Sequence, residues 1–109
     1  MNKILILFFS ALIFAYSYDD ASTALEVKDY KKALAIVNNL IQNNNDNDKF
    51  YYLASQICYL IGNLDEANSN ILQAIDINNE NKEYREYQKN LEELKSGLKS
   101  AQKTFDNGY

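Results

Sequence analysis

The stretch Tyr30-Lys-Lys-Ala33, an apolar stripe and the tract Asn44-Asn45-Asp46-Asn47 come back 34 residues later as Leu64-Asp-Glu-Ala67, a second stripe and Asn78-Asn79-Glu80-Asn81. Ala33 maps onto Ala67, Val37 onto Ile71, Ile41 onto Ile75, and Asn44, Asn45 and Asn47 onto Asn78, Asn79 and Asn81. That period is the length of one helix-turn-helix unit, and units of this kind hide their apolar faces by stacking on neighbours. The constraint points to an all-α chain of antiparallel helical hairpins, a binding scaffold rather than a catalytic pocket.

Helices meet no obstruction, because proline is absent and glycine occurs only at Gly62, Gly97 and Gly108. A short helix is expected around residues 19–27, with Ala21, Ala24, Leu25 and Val27 available for packing. From Tyr30 to about Gln42, Ala33, Ile36, Val37, Leu40 and Ile41 recur every three or four positions, which places them on one face. The Asn43–Asp48 tract can end that helix and cap the next, since Asn and Asp bond to nearby backbone. A third helix is predicted over 48–61, with Phe50, Leu53, Ala54, Ile57, Cys58 and Ile61 inward, closed by a glycine cap at Gly62. A fourth, over 64–77, turns Leu64, Ala67, Ile71, Ala74 and Ile75 inward. The last, over 82–104, carries Tyr84, Tyr87, Leu91, Leu94 and Leu98 as a narrow seam; it reads as a capping helix or, alternatively, as a short coiled-coil dimerisation helix. Residues 105–109 are expected to form a tail.

The N-terminus reads differently. Lys3 precedes an uncharged run over residues 4–18, 15 residues long, and Ala15 and Ser17 sit three and one positions before a possible cut. This is the pattern of a secretory signal peptide over residues 1–17, and the run is shorter than the roughly 20 residues that span a bilayer comfortably. Cleavage after Ser17 makes the protein exported, periplasmic or secreted. The alternative is an uncleaved anchor that runs continuously into the first helix, with Phe14 to Val27 completing the first hairpin; that version is a membrane-anchored structural subunit facing the exterior.

The net charge is −4, and residues 1–17 carry one lysine and no carboxylate, so their loss would make it −5. With one arginine, Arg85, and only the isolated pair Lys31-Lys32, the chain lacks the clustered bases that nucleic acid or an anionic membrane surface requires. No histidine is present, which removes Ser-His and Cys-His nucleophile pairs and the commonest metal ligand. Asn44-x-Asp46-x-Asp48 has oxygen ligands at alternate positions, but a calcium loop needs glycine where Lys49 stands and glutamate where Ser55 stands. Neither enzyme activity, a metal nor a cofactor is expected. The single cysteine, Cys58, has no partner in the chain for a disulfide and reads as a small buried apolar residue.

Residues 48–81 resemble a tetratricopeptide repeat. Tyr51 takes that family's early aromatic position, Ser55 a small-residue position, Gly62 the turn glycine, Leu64 the large apolar position after it, Ala67 the alanine at the helix crossing and Ala74 the later small residue. The preceding unit, residues 18–47, matches at Tyr30 and Ala33, with Lys28 in place of the turn glycine and Leu40 in place of the small residue. Asn45 and Asn79 stand where the family commonly has proline. The resemblance implies a groove lined by the first helix of each hairpin, exposing Tyr52, Gln56, Tyr59, Glu86 and Asn90 to a protein or peptide partner. It also implies that a chain with so few units gains a neighbour by docking or self-association, through residues 21–27 or the 84–98 seam.

Overall fold

The computed structural model describes residues 16–106, so the apolar run over residues 4–15 and residues 107–109 lie outside the described residues. Among the described residues the chain is all-α, with α1 at Tyr18–Glu26, α2 at Tyr30–Asn43, α3 at Asp48–Ile61, α4 at Leu64–Ile77 and α5 at Lys82–Asp106. Each helix packs on the next across a short connection, which gives successive antiparallel hairpins.

Local side chains set the boundaries. Oxygens of Asp29, Asn47, Asn63 and Asn81 accept backbone N–H bonds from Lys32, Lys49, Glu66 and Tyr84, satisfying donors that the first turn of a helix leaves orphaned. Asp29 and Asn63 are 34 residues apart, and so are Asn47 and Asn81. The first helix starts with a capping box, in which the Ser17 hydroxyl accepts from the Asp20 amide and the Asp20 carboxylate accepts from the Ser17 amide.

The exits recur too. After α3 the Asn63 amide bonds back to the Cys58 carbonyl and the Gly62 amide to that of Tyr59, with Gly62 left-handed at φ +97°. After α1 the Asp29 amide bonds to the Ala24 carbonyl and the Lys28 amide to that of Leu25, with Lys28 left-handed at φ +62°. These are the two bonds of a Schellman turn, repeated at the sequence period. Glycine tolerates this backbone freely, whereas a residue with a Cβ adopts it at a cost of about 1–2 kcal/mol.

Two linked clusters form the core. The first joins Ala21 and Ala24 of α1, Ala33, Ile36, Val37 and Leu40 of α2, and Leu53, Ala54 and Ile57 of α3. The second joins Cys58 of α3, Ala67, Ile71 and Ala74 of α4, and Tyr84 and Leu91 of α5, and Leu34 packs against both. Ile57 and Ile71 are fully buried, and covering a side chain of that size stabilises the fold by about 1.5–3 kcal/mol.

Several expectations are corrected. The last helix runs to Asp106 rather than stopping at residue 104, carrying Gly97 within it. Ile61, expected inward, is 49% exposed, since it faces a depression beside Leu34 and Asn38 instead of a filled core. Ala21 and Ala24 do not offer an outer edge; α2 covers them, and of the 21–27 segment Thr23, Glu26 and Val27 stay exposed. Nor does a helix run unbroken from Phe14 to Val27, because Ser17 is extended at φ −117°, ψ 167° and acts as the N-cap. Cleavage after Ser17 would remove that cap. Leu94 and Leu98, the end of the seam, are 40% and 54% exposed.

Relieving the left-handed strain should show in unfolding. Lys28→Gly is expected to raise stability by about 0.5–1 kcal/mol, the strain relief offset in part by the greater freedom of glycine in the unfolded chain. Gly62→Ala, which meets no atom within 4 Å and so acts through φ alone, is expected to lower it by about 1–2 kcal/mol. Urea unfolding followed by circular dichroism checks both, and equal midpoints for the two variants and the parent would contradict the shared turn geometry.

Candidate interaction groove between the third and fifth helices

The groove starts from a close approach between α3 and α4. Ser55 is fully buried and its hydroxyl donates to the Ala67 carbonyl at 2.6 Å. Only small residues at 55 and 67 allow the two helices this contact. The serine proton is used there, so the Tyr87 hydroxyl, 3.3 Å from the Ser55 oxygen, is the donor in that pair. One small side chain therefore ties α3, α4 and α5 together.

Tyrosines fill the α3–α5 seam above this point. The Tyr52 ring lies 4.7 Å from Tyr84, tilted, and 5.3 Å from Tyr87, edge to face, the arrangements that aromatic quadrupoles favour. Their polar ends are answered as well: Tyr84 donates to Asp48 at 2.8 Å, Asn78 donates to the same carboxylate oxygen at 3.2 Å, and Tyr52 donates to Glu83 at 3.1 Å. Burial alone would raise the Asp48 carboxyl, but the Tyr84 hydroxyl, the Asn78 amide, its own backbone amide and Lys49 outweigh it and hold the group below its ordinary 3.8. Burial followed by the Glu83 carboxylate pushes Tyr52 up to about 12, and burial followed by Asp48 raises Tyr84 further. Tyr87 is raised by burial, with the Ser55 contact opposing.

Below the tyrosines the seam opens. Tyr59, Tyr87, Asn90, Leu91 and Leu94 line a depression of about 230 Å³. Tyr59 is 45% exposed at its rim. Glu86 sits one turn before Asn90 on α5, exposed, and Glu83 one turn before Tyr87.

The residues expected from sequence thus divide. Tyr59 and Asn90 share the depression, Glu86 stands beside it, and Gln56 is half-buried one turn from both Tyr52 and Tyr59 on α3. Tyr52 departs from its expected place as a groove-facing side chain: it is half-buried and clasped by Tyr84 and Tyr87. Leu94 lines the depression without having been expected there, since spacing assigns it to a buried seam, and Glu83, which accepts from Tyr52, stands one turn before the lining residue Tyr87. The repeat positions hold the hairpins together: Ala33, Ser55, Ala67 and Ala74 are fully buried, Tyr30 and Leu64 are half-buried against the core, and Tyr51 donates its hydroxyl to the Asn45 carbonyl.

Elsewhere, Cys58 is buried beneath the α2–α4 side; burial first and the Glu66 carboxylate second raise its thiol, which disfavours the reactive thiolate. No group of three or more carboxylate or cysteine side chains among the described residues could hold a metal ion. No helix among the described residues is long and apolar enough to cross a membrane. No protein-family model matches the chain.

The tyrosine–carboxylate pairs make stability depend on pH at both extremes. Asp48 is lowered on folding, so its contribution is present above about pH 4 and drains away as pH falls through the folded value. Tyr52 and Tyr84 are raised on folding, so theirs is complete below about pH 10 and is lost as pH climbs toward 12 and beyond. Melting temperature measured across pH should fall in both windows, and Tyr84→Phe should flatten both while costing about 1 kcal/mol at neutral pH. An unchanged pH profile in that variant would remove the Asp48–Tyr84 bond from the account.

Proposed function

We propose that this chain is a non-enzymatic, tetratricopeptide-like adaptor that is exported and holds a protein or peptide partner in the α3–α5 groove. The observation that carries the reading is the depression formed by Tyr59, Tyr87, Asn90, Leu91 and Leu94, an apolar hollow with a single amide at its wall, set on rigid helices. Concave sites of this kind with an aromatic rim suit an inserted side chain from a partner. The recurrence of caps and Schellman turns at a spacing of 34 residues supports a repeat scaffold, and the signal-like residues 1–17 support export.

The role of the surface is separable from its role in folding. Tyr59 is 45% exposed, so a photo-crosslinking amino acid at position 59 should capture a protein partner in the native host, while the same residue at Glu92, exposed and on a different face of α5, should not. Equal capture at both positions, or none at 59, would remove the groove from the proposal. Export is checked by the intact mass and fraction of the native protein. A species lacking the residue 4–15 run in an envelope or secreted fraction is expected, and a full-length cytosolic species would overturn it.

A further inference from the structure

Resting on that reading, we infer that the groove takes a basic amphipathic peptide segment, which seats an aliphatic side chain in the Tyr59–Leu94 depression and sets a lysine or arginine within a turn of it against Glu83 and Glu86. The apolar part follows from the lining, where Leu91, Leu94 and the two tyrosine rings surround a hollow of about 230 Å³, room for an apolar side chain.

The charged part follows from which side chains border it. On α5 the row Glu83, Tyr87, Asn90 and Leu94 runs at steps of four, three and four, and Glu86 stands one turn from Asn90. The first of these rows contains no base. The facing positions of α3, Tyr52, Gln56 and Tyr59, hold neither a carboxylate nor a lysine or arginine. Glu83 is pre-set by Tyr52, which bonds its Oε1 and leaves Oε2 without a hydrogen-bond partner among the described residues. Glu86 has neither hydrogen bond nor ion pair there, although Lys82 and Lys89 lie within one turn of it. The other nearby bases are engaged elsewhere, Lys95 with Asp65 at 3.0 Å and Arg85 with the Asn79 carbonyl. Two exposed carboxylates that form no ion pair among the described residues, one of them on the groove-facing row of α5, complement a cation flanking an apolar residue, and a chain of net charge −4 attracts such a segment at long range. An acidic segment meets repulsion at the same place.

A display library of random short peptides, selected on the immobilised full chain, tests this whatever the natural partner is. Leu94→Asp puts a charge in the half-exposed apolar wall, and Glu83→Gln with Glu86→Gln removes the charge while keeping the shape; circular dichroism verifies that both retain helicity. The expected result is enrichment of peptides with lysine or arginine beside an aliphatic residue. The enriched peptide should lose binding to the Leu94→Asp chain, bind the double glutamine variant roughly three- to tenfold more weakly, and weaken as salt is raised. Enrichment of neutral or acidic peptides that still depends on Leu94 would overturn the charge inference while leaving the groove as the site. Absence of any Leu94-dependent enrichment would overturn both.

Discussion

The contact on which the rest of the molecule depends is the one between Ser55 and the Ala67 carbonyl. A hydroxyl buried among apolar side chains is costly unless its proton is used, and at 2.6 Å it is used on the backbone of the next helix. That bond is reachable only because residue 67 is an alanine and residue 55 has a single heavy atom beyond Cβ. It fixes how closely α3 and α4 approach, and the lone pair that remains fixes Tyr87, hence the angle at which α5 crosses the hairpin. The depression beside Tyr59 is the space left where α5 runs on past the tyrosines. The groove is a consequence of helix packing and requires no specialised loop.

The first hairpin solves the same problem without the hydroxyl. The residue 34 positions before Ser55 is Ala21, and Ala33 stands for Ala67; both are fully buried, so the close approach survives as an apolar contact. What it lacks is a first turn, since α1 begins at Tyr18 where the period would start it one turn earlier, and the capping box of Ser17 and Asp20 closes the shortened end. Stacking of Tyr18 on Phe50, ring centroids 6.3 Å apart, extends the aromatic line across the two units.

Much of this is legible in the residues. The bounds of α3 and α4 follow from Asn47, Gly62 and the apolar stripes, because glycine enters the left-handed turn that ends a helix at no steric cost and asparagine caps the first turn with its side-chain oxygen. The left-handed turn at Lys28 has no compositional sign, and only its register with Gly62 could expose it. Tyr52 misleads because it lies at the border of the α3 stripe, where helical spacing does not decide between solvent and a neighbour. Its neighbours, Tyr84 and Tyr87, are more than thirty residues away in sequence, and so are the partners of their hydroxyls. Leu94 misleads in the opposite sense: an apolar side chain in seam register reads as covered, whereas the helix it faces, α3, presents only Tyr59 there.

The scarcity of repeat units is met at the two ends of the stack. In the second unit Ala54 and Ile57 pack against the preceding hairpin. Their counterparts in the first unit, Asp20 and Thr23, are exposed and polar, so at these positions α1 carries polar side chains where the second unit carries core, with Tyr16 and Val27 exposed beside them. At the other end Tyr51, Ser55 and Cys58 face α4, and the equivalent α5 residues are Arg85, Lys89 and Glu92, all exposed. Each end carries charge where an internal unit carries core. Exposed apolar side chains meet between α3 and α5 at Tyr59 and Leu94, and at the α1 end at Tyr16 and Val27. An additional hairpin at either end would meet polar or charged side chains at the positions through which the internal helices pack.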